Sequence, residues 1–194
     1  MNHIGRKLYH LIGGLGLLSL YFIMGRDRAL VFYAVLFIIA LGLDILRLTV
    51  PAVNTIMFTR FSSFIRKNEA HTLTGTAPYI LGIGLSLYAF SQPIATAAIC
   101  FLAVGDVAAT TIGERYGRTK IGKKSLEGTS AFVIAALGAG GVLLLIGSGT
   151  NPWVMVLGAL VAAGAELLTL PVNDNLVIPI VSGGVMELAL RLIR

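Results

Sequence analysis

Charge is scarce in this chain: only 12% of its 194 residues are charged, nine acidic against fifteen basic, where a soluble domain carries about a quarter. That shortage excludes an ordinary water-soluble domain. Cysteine is almost absent, and the lone Cys100 lies in an apolar run, which excludes an intrachain disulfide and leaves the redox compartment unread. The three histidines, His3, His10 and His71, lack the spacing of a metal motif, so nothing supports zinc. There is no clear repeat between the two halves of the chain, which weighs against an ion-coupled transporter with carboxylates along its path.

Apolar sequence fills the space that charge leaves. Apolar residues make up 56% of the chain and mean hydropathy is +0.87. Several runs reach the roughly 20 residues that cross a hydrocarbon core. The expected fold is all-α and polytopic, one integral membrane domain over 1–194, with about seven spans near 8–25, 29–48, 75–91, 93–112, 129–147, 152–170 and 175–192. The 23 glycines suit such a bundle, because small residues let helices approach closely. Between spans two and three, Val53, Met57, Phe61 and Phe64/Ile65 recur at helical spacing against Asn54, Ser62, Ser63, Arg66 and Lys67. That pattern predicts one amphipathic helix lying in the interface. The N-terminus has the basic start and apolar run of a secretory signal, but Tyr21-Phe22-Ile23-Met24-Gly25-Arg26 offers no small-residue cleavage site. It reads as a retained first helix.

Orientation follows from counting Lys and Arg. With the N-terminus cytoplasmic, eleven fall on the cytoplasmic side and four (Arg26, Arg28, Arg191 and Arg194) on the other. That bias predicts a multi-pass protein with its N-terminus inside and its C-terminus outside, and the compact loops suit a prokaryotic cytoplasmic membrane. The same placement accounts for the net charge of +6 without nucleic acid. It also gathers Asp44, Glu69, Asp106, Glu114, Glu127, Glu166 and Asp174 on or near the cytoplasmic side, with Asp27 and Glu187 apart.

Carboxylates beside a bilayer need a reason, since an ionised group at a helix centre costs about 2.5–3.5 kcal/mol on insertion scales. Asp106, Thr110 and Gly113/Glu114 form one polar stripe, either an interhelical contact or a functional site. Asp44 precedes Arg47 by three residues, which reads as an ordinary intrahelical pair. Glu127 stands just before an apolar run, where it either complements the helix dipole or binds metal. Glu166 and the turn Pro171-Val172-Asn173-Asp174-Asn175 form a second polar group, in which Asp174 or Asn175 is a candidate helix cap and Pro179 a kink. Hard carboxylate oxygens favour magnesium or calcium.

Between the fourth and fifth spans lies a glycine-rich loop, about 113–128, carrying Arg115, Arg118, Lys120, Lys123 and Lys124. Gly117 to Lys123 matches GxxxxGK, but Lys124 follows where a P-loop has Ser or Thr, and the flanks are membrane helices. The Walker fold is rejected. Its local logic survives: glycine lets backbone N–H groups approach phosphate, and lysine neutralises it. The alternative is that these cations only orient the protein in its membrane.

Taken together, several motifs resemble one family. They are Asp106 with Gly113, the Gly117–Lys124 loop, Lys124-Ser125-x-Glu127-Gly128-Thr129, Asp174-Asn175 ahead of Ile178-Pro179, Arg6-Lys7-x-x-His10, and Glu69 before Leu73-Thr74-Gly75. The pattern spans the chain and resembles the CTP-dependent lipid kinases: dolichol and polyprenol kinases, phytol kinase and the CTP-dependent diacylglycerol kinase. It is distantly similar to the membrane synthases of CDP-diacylglycerol. The resemblance implies that CTP donates its γ-phosphate to a lipid alcohol in the bilayer. Asp106 would then bind Mg2+ or Ca2+, shared with Glu127 or Asp174. Arg6, Lys7, Lys120, Lys123 and Lys124, with Gly113, Gly117 and Ser125, would hold the triphosphate. Glu69 or Asp174 would accept the hydroxyl proton, with His10, Glu114, Glu166 and Asn175 as further polar candidates. The rival within the same chemistry is a cytidylyltransferase that joins CTP to a lipid phosphate.

Overall fold

The computed structural model describes residues 4–61, 69–168 and 171–193. In chain order it has α1 (Ile4–Met24), α2 (Arg26–Thr49), α3 (Pro51–Arg60), α4 (Thr76–Ala89), α5 (Gln92–Tyr116), β1 (Lys120–Ile121), β2 (Lys124–Ser125), α6 (Leu126–Leu145), α7 (Pro152–Leu167) and α8 (Asp174–Ile193). All seven expected spans are apolar helices. Five (α1, α2, α5, α6 and α8) are long and apolar enough to cross a bilayer, whereas α4 and α7 are shorter. The chain is a multi-pass all-α membrane protein.

Helix α5 is the axis of the bundle. Of its most apolar stretch 67% is buried, against 17–28% in the other long helices, and it packs on α1, α4, α6, α7 and α8. Its sequence explains this position. Ala95, Ala97, Ala98 and Ala103 are fully buried beside Ile94, Ile99, Phe101 and Leu102, a helix apolar on every side and small enough for neighbours to close around it. The outer helices instead expose Ile38, Ile134, Leu145 and Leu192, as lipid-facing residues should be.

Helix ends follow local chemistry. Pro51 and Pro152 open α3 and α7, where a missing N–H costs nothing. Asn151 caps α7 by accepting the Trp153 N–H at 2.9 Å. At the N-terminus of α5 no local side chain caps; Glu187 from α8 accepts both the Ser91 N–H (2.9 Å) and its hydroxyl (2.7 Å). That contact explains why this acid stands apart from the others. The cap of α8 is neither Asp174 nor Asn175, as the sequence suggested, but Asn173, whose side chain accepts the Asn175 N–H at 3.0 Å. Both expected candidates are thereby left to face elsewhere.

The basic loop contains a short hairpin not anticipated from the sequence. Helix α5 runs on to Tyr116, and residues 120–125 form a two-stranded hairpin pairing Lys120 with Ser125 and Ile121 with Lys124. Gly122 takes φ 57° at the first turn position, the II′ arrangement that suits strand twist and that glycine alone adopts without strain. A helix does form where the interfacial one is expected, α3 over Pro51–Arg60, with Val53 and Met57 half-buried. Its continuation through Ser62, Ser63, Phe64, Ile65, Arg66 and Lys67 lies outside the described residues.

Helices α5 and α6 cross most tightly beside the hairpin. A Cβ on Gly128 would lie 2.9 Å from the Ala109 carbonyl oxygen and 3.3 Å from the Gly113 Cα. Backbone atoms cannot swing aside, so Gly128→Ala must part the two helices. It should destabilise the protein by about 1–3 kcal/mol, read as a lowered thermal midpoint in detergent. An unchanged midpoint would mean that the crossing opens without cost.

Candidate active site

Two spaces meet inside the bundle. The first is a polar cavity of about 880 Å³. It collects Arg6 from α1, Glu69 and Thr74 from the segment before α4, and Asp106, Gly113 and Glu114 from α5. The hairpin and the α6 N-terminus add Lys120, Lys123, Lys124, Ser125 and Gly128; α7 adds Glu166, and the α8 turn adds Asn173, Asp174 and Asn175. Residues more than 150 positions apart in the chain thus line one wall. The second space is an apolar groove of about 590 Å³ between α1, α2, α3 and α4. Arg6, Glu69, Thr74 and Gly75 line both.

Lysine 124 is the best-anchored cation of the cavity. Its Nζ donates to Glu166 at 2.8 Å and to Asp174 at 2.9 Å, and Glu166 also accepts from the Thr129 hydroxyl at 3.3 Å. Burial alone would lower the lysine pKa. Attraction to Asp174, with the hydrogen bond and attraction of Glu166, outweighs that burial and holds it above its ordinary value. The group therefore stays charged throughout the neutral range. By contrast, Lys120 and Lys123 are exposed and form no ion pair among the described residues, leaving two cations for an incoming anion.

Asp106 sits on the cavity wall with its side chain 13% exposed, and the His10 Nδ1 lies 3.8 Å from its Oδ2. That separation is too long for a hydrogen bond, and Nδ1 has no hydrogen-bond partner among the described residues. His10 itself is buried, faces the apolar groove and packs its ring at a tilt against Tyr79, whose hydroxyl donates to the His10 carbonyl.

Of the other expected site residues, Lys7, Gly117 and Glu127 lie beside the cavity, whereas Glu114, Ser125 and Asn175 line it. Lys7 pairs with Glu114 at 2.7 Å, which fixes one acidic wall. Gly117 makes room for Ser125, whose Oγ a Cβ there would meet at 2.6 Å, while the Ser125 hydroxyl caps α6 by accepting the Gly128 N–H at 3.2 Å. The Glu127 carboxylate turns back to accept the Thr119 N–H at 3.0 and 3.2 Å; it braces the hairpin and does not line the cavity. Asn175 crosses to α4, donating to the Gly75 carbonyl at 3.0 Å, and so ties the two sides of the cavity together.

The buried pair Asp44–Arg47 reaches well beyond the intrahelical contact its spacing suggested. Arg47 Nε donates to Asp44 at 2.7 Å. Its other nitrogens donate to the Glu69 carbonyl at 3.0 Å, to the Thr72 carbonyl, and weakly to Asn54 at 3.4 Å. Asp44 Oδ2 accepts the Thr74 N–H and hydroxyl, each at 2.9 Å. Both charges are almost fully enclosed. Together they clamp residues 69–74, the rim shared by the two spaces. The fixed offset of the pair carried no signal of this, because every further partner lies at least 22 positions away except Asn54.

Among the described residues, no three His, Cys, Asp or Glu side chains converge as a self-sufficient metal site. The cavity nevertheless offers the oxygens of Asp106, Glu69 and Asp174. Magnesium is commonly held by one or two carboxylates together with substrate phosphates and water, so this donor set fits a divalent ion that arrives with a nucleotide.

Comparison with known proteins points the same way. The chain is 33% identical over 143 residues to the CTP-dependent diacylglycerol kinase 1 of Saccharomyces cerevisiae, covering 70% of this chain and 49% of that protein. With the Eremothecium gossypii protein of the same name it shares 33% over 142 residues, 70% of this chain and 44% of that one. With the Schizosaccharomyces pombe protein of that name it shares 29% over 167 residues, 78% of this chain and 77% of that one. The chain thus spans about half the length of the first two relatives. No family model and no solved structure matches it. On this similarity the chain belongs to the family of the CTP-dependent lipid kinases.

Proposed function

We propose that the protein transfers the γ-phosphate of CTP to the hydroxyl of a membrane lipid alcohol, releasing CDP and a lipid phosphate. The observation that carries this reading is the convergence of Arg6, Asp106, Lys120, Lys123, Lys124 and Asp174 on one polar cavity, open beside an apolar groove. Phosphoryl transfer asks a protein chiefly to position two reactants and to neutralise charge on phosphate oxygens. Lys120 and Lys123 approach the triphosphate from the hairpin and Arg6 from α1, while Lys124 supplies a fixed charge at the cavity floor. Asp106, with Asp174, would hold a magnesium ion, which would supply positive charge to offset that of the triphosphate. Glu127 is assigned to the hairpin, in keeping with its hydrogen bonds to Thr119. The names of the relatives make diacylglycerol the first acceptor to test, ahead of polyprenol or dolichol and of phytol or geranylgeraniol. The Lys and Arg bias assigns the cavity to the cytoplasmic side.

The test is direct. Full-length protein purified in detergent is given CTP, Mg2+ and each lipid alcohol in turn, and both products are identified. Lipid phosphate with CDP is the expected outcome. Pyrophosphate with a CDP-lipid, formed from a lipid phosphate, would replace the kinase with a cytidylyltransferase. No lipid product with any acceptor would remove the reading altogether.

A further inference from the structure

Resting on that kinase reading and deepening it, we propose that the groove between α1, α2 and α4 is the acceptor site. It holds one hydrocarbon chain of the lipid alcohol, delivers the hydroxyl to the Arg6–Glu69 rim, and makes Glu69 rather than Asp174 the acceptor of the hydroxyl proton.

The grading of the groove supports its occupant. Along α1 its lining passes from Arg6 and His10 to Gly13 and Leu17; along α2 it passes from Asp44 back to Leu36. Both helices run from polar to apolar in the same direction, away from the rim shared with the polar cavity. An amphiphile with one polar end fits this sequence of environments, and a wholly polar or wholly apolar ligand does not. Asp44 offers the occupant nothing, since Arg47 and Thr74 already engage both of its oxygens. The groove also opens sideways. Ile39 and Leu43 line it yet remain 53% and 48% exposed, on the face of α2 that meets hydrocarbon. A lipid can therefore enter from the bilayer without its chain crossing water, where every exposed methylene is unfavourable.

Geometry also separates the two carboxylates. Asp174 lines only the polar cavity, with an oxygen held by Lys124 at 2.9 Å. Glu69 lines both spaces, on a backbone that Arg47 fixes through its carbonyl. In the step so assigned, a lone pair of the lipid hydroxyl oxygen forms the new bond to the γ-phosphorus. The bond from that phosphorus to the β–γ bridging oxygen breaks, and its electron pair leaves with the nucleoside diphosphate. The hydroxyl proton passes to the Glu69 carboxylate and from there to water.

The experiment has two arms. In the first, full-length wild-type protein without nucleotide is irradiated with a long-chain primary alcohol bearing a diazirine in mid-chain, and the adducts are mapped by mass spectrometry. Labelling should fall on the groove faces of α1, α2 and α4 and be displaced by unlabelled acceptor. Labelling confined to outer positions such as Ile134 or Leu192, or not displaced, would overturn the groove. In the second arm, Glu69→Gln should lower kcat on the order of 10²–10⁴-fold and flatten its pH profile, with the KM for CTP and the labelling pattern unchanged. A preserved kcat, or a loss confined to the KM for CTP, would overturn the role of Glu69. If the wild type phosphorylates no alcohol, the kinase reading and the Glu69 step fall together, while the labelling map still decides the groove.

Discussion

Asp106→Asn should reduce CTP-dependent phosphorylation of a lipid alcohol by roughly 10³-fold while leaving the fold intact. The substitution keeps the shape of the side chain and removes its charge. Its carboxylate lies 3.8 Å from the His10 Nδ1 and accepts no hydrogen bond among the described residues, so the thermal midpoint should hardly move. The loss falls on catalysis because preorganised charge at a mostly enclosed site is worth far more than the same charge in water. Removing one such group from other active sites costs about 10²–10³ in kcat, and a carboxylate in the metal-holding role proposed for Asp106 belongs at the upper end. Steady-state rates over a magnesium titration check the assignment. A variant that turns over at the wild-type rate, with the same magnesium dependence, would take Asp106 out of the mechanism.

Arg47→Met should have the largest effect on stability, about 3–5 kcal/mol, because breaking a buried ion pair strands its partner. Asp44 would keep Thr74 as a donor but lose the guanidinium, and the carbonyls of Glu69 and Thr72 would each lose a hydrogen bond. The damage should be local as well as global, since the released segment is the rim shared by cavity and groove. Thermal unfolding in detergent reads the first effect, and proteolysis near residues 69–74 reads the second. The double variant Asp44→Asn, Arg47→Met should recover part of the loss, because no unpaired charge then remains buried. A single variant as stable as the wild type would show that the pair contributes little to holding the rim.

The seven apolar helices were legible because a bilayer imposes length and composition on every span, and α5 shows why even its central place left a mark: its alanines are its interface. The chemistry of the cavity was partly legible. Asp106, the hairpin lysines and Asp174 stand out as charges that a membrane helix or its immediate flank must account for. What stayed hidden depends on contacts between distant segments. Arg47 looked satisfied by Asp44, since nothing in the offset of two side chains reveals three carbonyl and amide partners elsewhere. Glu127 and Asn173 show a finer limit. Either of two neighbouring residues can cap a helix, and only the fold decides which does and which turns away. The hairpin within residues 120–125 was concealed in the same way, as four paired residues around Gly122 carry almost no periodic signal.

The brevity of α4 and α7 bears on the membrane itself. At 1.5 Å per residue they are about 21 and 24 Å long, against a hydrocarbon layer of roughly 30 Å. Pro78 in the first turn of α4 and Glu166 near the end of α7 share the cavity with Asp106, whereas α5 continues ten residues past Asp106 to Tyr116. The shortfall is therefore on the cavity side. A bilayer meeting such helices thins locally rather than leave polar ends in oil, so the lipid surface around this protein should carry a dimple centred on the cavity. Headgroups drawn into that depression bring water and counterions down to a depth where hydrocarbon would otherwise lie, and the distance a buried alcohol must rise to meet them shrinks by the same amount.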